Sequence, residues 1–170
     1  MLERLYLVVC GAVTAYRVPT LIASLLPLTR QLLTLPTPDS SRLISPRDLA
    51  RIEGNQVVDS YFAAEMLPRP APGAVLVAPC TFNTLHKLAA GIADNLPLSL
   101  TQEAIGRGWP VVIAPSLNAG LWMHPLTPPA LDRLQAWGVS LALPAAADDY
   151  ALAPDEQILI ALHARLQGVT

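Results

Sequence analysis

Three short apolar runs, each stopped by a residue that breaks regular backbone, constrain this chain more than any other feature. Residues 5–10 end at Gly11, residues 74–78 at Pro79 and residues 111–114 at Pro115. Runs that are apolar throughout, without alternation, read as strands buried on both faces. A strand covered above and below needs helices in the chain between, and the intervening segments have that character.

Residues 18–26 form a periodic segment stopped by Pro27, and residues 81–93 place Leu85, Leu88, Ala89 and Ile92 on one helical face. Further helices are expected over 98–105 before Gly106 and Gly108, over 126–137, and over 155–166 after Pro154. Ser45-Pro46 opens a short helix to Ile52, residues 31–35 and 139–143 are expected strands, and 36–45 is a proline-rich loop. Only residues 54–72 give no clear period. Four or five strands alternating with helices predict a Rossmann-like (flavodoxin-like), doubly wound parallel sheet in a three-layer α/β/α single domain. Ligands of such sheets bind beyond the carboxyl ends of the strands, which here are segments 11–16, 79–84 and 115–122.

Composition narrows the function. Charged residues are 14% of the 170-residue chain and apolar residues 52%, against a usual charged share of about 25%. Such a chain has the apolar surface to fold, and too few charges to cover a monomer comfortably, so a homo-oligomer is expected. Eleven basic and thirteen acidic residues with no basic block do not suit nucleic acid. Cys10 and Cys80 lie in apolar runs with no second ligand at metal spacing, so neither a zinc site nor a disulfide framework is expected. No run is long enough to span a membrane. A leader is not expected either, because Glu3 sits beside Arg4 and the first apolar run is short. The expected location is the cytoplasm.

Each strand-end segment has a chemistry. Gly11-Ala12-Val13-Thr14 gives a glycine turn into a helix whose free N–H groups favour an anion. Pro79-Cys80-Thr81-Phe82-Asn83-Thr84 puts two hydroxyls and an amide at another helix start, with Thr81 equally suited to be an N-cap. Pro115-Ser116-Leu117-Asn118 continues to Trp122-Met123, apolar residues that suit a lid over a flat ligand or a subunit contact.

These segments resemble the homo-oligomeric flavin-containing cysteine decarboxylases, which include phosphopantothenoylcysteine decarboxylase and enzymes acting on the C-terminal cysteine of ribosomal peptides. Pro79-Cys80-Thr81-Phe82-Asn83-Thr84 resembles the family's Pro-Ala-Ser/Thr-Ala-Asn-Thr. Lys87-Leu88-Ala89-Ala90-Gly91-Ile92-Ala93-Asp94-Asn95-Leu96 is similar to the helix that follows it. Pro115-Ser116-Leu117-Asn118 with Trp122 resembles Pro-Ala-Met-Asn-x-x-Met-Trp, and Gly11-Ala12-Val13-Thr14-Ala15-Tyr16-Arg17 resembles Gly-Ser-Ile-Ala-Ala-Tyr-Lys. The similarity covers residues 4–26 and 74–143.

The resemblance implies FMN, with FAD as an alternative, bound at a subunit interface of a trimer or dodecamer. Gly11, Ala12, Thr37, Pro79, Thr81 and Thr84 would hold the cofactor, with Asn83 near the flavin or the subunit contact. Asn118 would meet the carboxylate of a peptide or small thiol-carboxylate substrate. The family's chemistry takes two electrons from the Cα–Cβ–S unit of cysteine, and the resulting C=S bond is the electron sink for loss of CO2, leaving an enethiol. Three departures matter, the mildest being Leu117 where the family has Met, a volume-conserving change. The family's decarboxylases carry a His before the second strand motif, whereas residues 59–66 contain none, and the only histidines are His86, His124 and His163. Glu65 is the preferred stand-in as base or orienting group, ahead of Tyr61 and Asp59. Residues 145–150 also lack the cysteine with which phosphopantothenoylcysteine decarboxylase reduces its product, which turns the expectation toward a peptide substrate. The alternatives are a non-catalytic flavin-binding scaffold, a flavin prenyltransferase (for which no basic cluster is found), and phosphopantothenoylcysteine decarboxylase itself.

Overall fold

The computed structural model describes residues 1–146 and 151–168. Most of the segment noted for its missing cysteine, residues 147–150, lies outside the described residues. Six parallel strands form one sheet: β1 (Leu5–Val9), β2 (Leu32–Pro36), β3 (Asn55–Val57), β4 (Ala74–Cys80), β5 (Val111–Pro115) and β6 (Ser140–Leu141). Their order is β3-β2-β1-β4-β5-β6. Without the short edge strand β3 this is the flavodoxin order, and with it the Rossmann order.

The sheet forms because its strands have an apolar residue for each face. Leu5, Leu7 and Val9 of β1 pack with Leu76, Ala78, Val112 and Ala114 against α1 (Val18–Leu25), α2 (Pro46–Ala50) and α7 (Asp155–Leu166). Tyr6 and Val8 face the other way with Val75, Val77 and Ile113, against α3 (Phe82–Ala89), α4 (Leu96–Gly106) and α6 (Thr127–Ala136). Every residue of β1 is fully buried, and burying each large side chain contributes about 1.5–3 kcal/mol. The three-layer α/β/α expectation holds. Among the described residues no helix is long and apolar enough to cross a membrane.

Four local expectations are corrected. The sheet has six strands because β3, in the segment without a period, is held by polar bonds: Thr34 Oγ1 donates to Asn55 Oδ1 at 2.7 Å, and Asn55 Nδ2 donates to the Leu49 carbonyl at 2.9 Å. Helix α3 stops at Ala89, not Ala93. Gly91 takes φ +73°, its N–H bonds the Leu88 carbonyl, and the Ile92 N–H bonds the Lys87 carbonyl. This is the left-handed glycine stop of a Schellman motif, and it leaves Ile92 exposed, not on the core face. Helix α4 starts two residues early because the Asn95 side chain accepts the Leu98 N–H at 3.1 Å and Pro97 fits the first turn. The last strand shrinks to Ser140–Leu141. Pro79 and Pro115 lie within the ends of β4 and β5, with Cys80 and Pro115 still in register after an irregularity that follows Val77.

Candidate functional site

The sheet reverses its winding between β1 and β4, the position at which a doubly wound fold opens a crevice. The ends of β1, β4 and β5 are tied together here, because the Cys10 N–H donates to the Pro79 carbonyl at 3.2 Å and the Ser116 N–H to the Cys80 carbonyl at 2.9 Å. Two cavities lie above them. The first, of about 430 Å³, is lined by Gly11, Thr37, Thr81, Asn83, Thr84 and Lys87, with Asp39, Asp94 and Asn95 among the rest. The second, of about 420 Å³, is lined by Ala12, Val13, Leu43, Phe82, Leu117 and Asn118, with Ser116 and Leu121 beside them. Gly11, Thr81 and Asn83 belong to both, so the two form one continuous site.

The first cavity is polar by construction. Thr81 is the N-cap of α3: its Oγ1 accepts the Thr84 N–H at 3.3 Å and donates to Thr84 Oγ1 at 3.2 Å. Thr84 Oγ1 also accepts from Cys10 Sγ at 3.4 Å. Thr37 is fixed beside β1 by its N–H, which donates to the Val9 carbonyl at 2.8 Å, and its own carbonyl accepts from Ser40 Oγ at 2.7 Å. Lys87 is ion-paired with Asp94. A side chain at Gly11 would put its Cβ 3.0 Å from the Asp39 backbone, so glycine lets the two loops close over the helix start. Hydroxyls, a helix N-terminus and a lysine suit a phosphate and a polyhydroxyl chain. Beneath them, burial pushes the Cys80 thiol well above its ordinary range, which keeps it a protonated packing group.

The second cavity is lined mostly by apolar side chains, with Thr81, Asn83, Ser116 and Asn118 as its polar members. Asn118 N-caps α5 (Ala119–Trp122), its Oδ1 accepting the Leu121 N–H at 2.8 Å. That leaves the amide NH2 as the donor for a ligand. The loop is anchored by Thr14 and Ser116, both buried, whose hydroxyls meet at 2.7 Å. The bond joins the turn after β1 to the turn after β5.

Gly11, Ala12, Thr37, Thr81, Asn83, Thr84 and Asn118 therefore all line the continuous site. Pro79 does not: it is buried below, and its carbonyl holds β1 to β4. Glu65 is not brought to the site either. It lies in a single turn (Ala64–Met66) at the outer sheet edge, paired with Gln56, which also accepts from Gln31 just before β2. Tyr61 bonds Ser99 at 2.7 Å in a small separate pocket, and Asp59 is exposed. Trp122 packs against the core while Met123 is exposed. Sequence reasoning gave no role to Asp39, Leu43 or Asn95. Asn95 stands in the resembling motif, but Asp39 and Leu43 lie in a loop whose only signal is turn chemistry.

A parallel sheet with a phosphate-suited helix start at its switch point defines a nucleotide-cofactor protein. The chain belongs to the family described as Flavoprotein, which matches residues 2–164. It is 32% identical over 145 residues to the phosphopantothenoylcysteine decarboxylase of Mus musculus, covering 76% of this chain and 67% of that protein. It is 29% identical over 142 residues to the coenzyme A biosynthesis bifunctional protein CoaBC of Mycobacterium tuberculosis, covering 81% of this chain. The chain spans about a third of the length of such bifunctional relatives. Among solved structures, that of the FMN-dependent cysteine decarboxylase SpaF superposes with a TM-score of 0.78 at 25% identity, covering 98% of this chain and 97% of that one. The peptidyl-cysteine decarboxylase EpiD shares the fold, with a TM-score of 0.80 at 20% identity over 96% of this chain and 99% of that one. The resemblance read from the motifs holds, and with it the flavin cofactor.

Proposed function

We propose that this protein is an FMN-dependent oxidative decarboxylase of a C-terminal peptidyl cysteine, or of a similar small thiol carboxylate. It works as a homo-oligomer, trimer or dodecamer, with the flavin at a subunit interface. The observation that carries the reading is the continuity of the two cavities: a phosphate-suited helix start opens directly onto an apolar space holding Asn118. Thr81, Thr84, Thr37 and the α3 N–H groups would hold the phosphate and ribityl end. Bound oxidised FMN would supply the two-electron acceptor for the Cα–Cβ–S unit.

The chain's own residues then have three tasks. The Asn118 amide donates to the substrate carboxylate and fixes its direction, which restricts the reacting atoms to one geometry. Val13, Leu43, Phe82, Leu117 and Leu121 exclude water around that carboxylate, and the loss of its hydration favours departure as neutral CO2. The Thr14–Ser116 bond keeps the Asn118 loop at a fixed height above β1. The exposed rim residues Val13 and Leu43 support closure by a second subunit, in keeping with the low charged fraction. The missing cysteine in residues 145–150 supports a product left as the enethiol.

One observation favours a second reading, a flavin-binding relative without catalysis: Glu65 lies away from the site, and no imidazole lines either cavity among the described residues. Incubation of the FMN-loaded protein with cysteine-ended peptides separates the two. Decarboxylation is expected to give peptides lighter by CO2 and two hydrogens, detected by mass spectrometry. A flavin-loaded protein that converts neither a panel of such peptides nor small cysteine-like thiol carboxylates supports the second reading.

A further inference from the structure

We propose that Phe82 sets the substrate specificity of the Asn118 cavity: its ring forms an uncharged wall that admits an apolar substituent next to the bound carboxylate and disfavours a charged one. This rests on the decarboxylase reading above. Phe82 stands where the resembling motif has Ala, so the wall belongs to this chain.

The ring is held from behind. It packs on the His86 ring at a centroid distance of 3.9 Å and an angle of 35°, and it meets the edge of His124 at 5.2 Å and 76°. His86 is fixed in turn because its Nδ1–H donates to the Phe82 carbonyl at 2.9 Å. The His124 ring is anchored by Nδ1, which accepts the Leu126 N–H at 3.2 Å. Aromatic rings in such offset and edge-on arrangements attract each other beyond their buried area, so Phe82 has little freedom to swing aside.

On its front the ring faces a cavity in which none of the lining side chains is ionisable. Behind the stack, His86 lines a separate groove of about 250 Å³ that contains Arg133. The Phe82–His86 pair thus lies between an uncharged space and a groove that contains Arg133. A carboxylate held at Asn118 places the adjoining side chain of its own peptide in the same cavity. A charge on that side chain would be desolvated with no counter-charge.

Serine-ended peptides, which cannot be oxidised through a thiol, test this by binding alone. Calorimetry on the FMN-loaded protein compares peptides ending in Leu-Ser, Asp-Ser and Lys-Ser. Leu-Ser is expected to bind at least about 10-fold more tightly than either charged peptide. In Phe82→Ala, which removes the apolar wall and uncovers the polar His86 ring behind it, the ratio of Leu-Ser to Asp-Ser falls below about 3-fold, while the visible spectrum of bound FMN is kept. Phe82→Gln retains the volume but makes the wall polar, and it is expected to lose discrimination in the same way. A general loss of folding would weaken all three peptides together and leave the ratios alone. Equal binding of the three peptides by the wild type, or unchanged ratios in both variants, overturns the proposal. If the wild type discriminates as expected yet releases no CO2 from cysteine-ended peptides, the cavity assignment stands and the decarboxylase reading fails.

Discussion

The two halves of the site differ in how they are built. The polar half is made by a helix start, where backbone N–H groups, the Thr81 cap and the Thr84 hydroxyl arrive together because α3 begins there. The apolar half has no such organising element. Val13, Leu43, Phe82, Leu117 and Leu121 come from four separate stretches of chain and meet only because the loops after β1, β2, β4 and β5 converge at the switch point. A cofactor site made from secondary structure tolerates little change of sequence. A substrate site made from loop residues can be retuned one residue at a time while the cofactor half stays as it is.

That division gives each half its own failure. Gly11→Val is expected to act hardest on the polar half, because even a Cβ at this position meets the Asp39 backbone at 3.0 Å. FMN affinity, measured by fluorescence quenching, falls by at least about 100-fold while the far-ultraviolet circular dichroism is kept. Asn118→Asp acts on the other half. A carboxylate facing the substrate carboxylate repels it, and peptide turnover falls by about 100-fold or more with FMN affinity within about 3-fold. Loss of flavin in that variant would place Asn118 on the cofactor side and break the division.

Smaller effects sharpen the boundary. Thr81→Ala removes an N-cap and a cavity hydroxyl together, so urea unfolding is expected to show a loss of about 1 kcal/mol and FMN binding a loss of about 10-fold. Thr14→Val removes the hydroxyl that meets Ser116. It is expected to cost about 1 kcal/mol of stability and to lower peptide turnover more than FMN affinity. Glu65→Gln should be the mildest, with turnover within about 2-fold of wild type, because Glu65 pairs with Gln56 at the sheet edge. A large loss of turnover there would restore Glu65 as the base.

The same division explains what could be read from the sequence. The sheet was legible because its central strands are apolar on both faces, and the polar half because 11–14 and 79–84 are contiguous at strand ends. Strand β3 was not legible: Asn55-Gln56-Val57 is held by side-chain bonds that only the fold brings together. Leu43 gave no signal within a proline-rich loop, since its place in the apolar cavity depends on β2 ending beside β1. Glu65 lies near the position of the absent His in sequence, but a three-residue turn carries it to the edge strand instead. Ile92 fitted the helical period, but Gly91 ended the helix before that period could apply.

On this reading the α3 start takes the phosphate end of the flavin while Asn118 is left to the substrate. Comparing FMN with riboflavin on the purified protein tests it most directly, because the two share a ring system and differ only in the phosphate. FMN is expected to bind at least about 100-fold more tightly, as fits a dianion at a helix N-terminus with charge-assisted hydrogen bonds, and Gly11→Val is expected to remove the advantage. Equal affinity for the two flavins would contradict it.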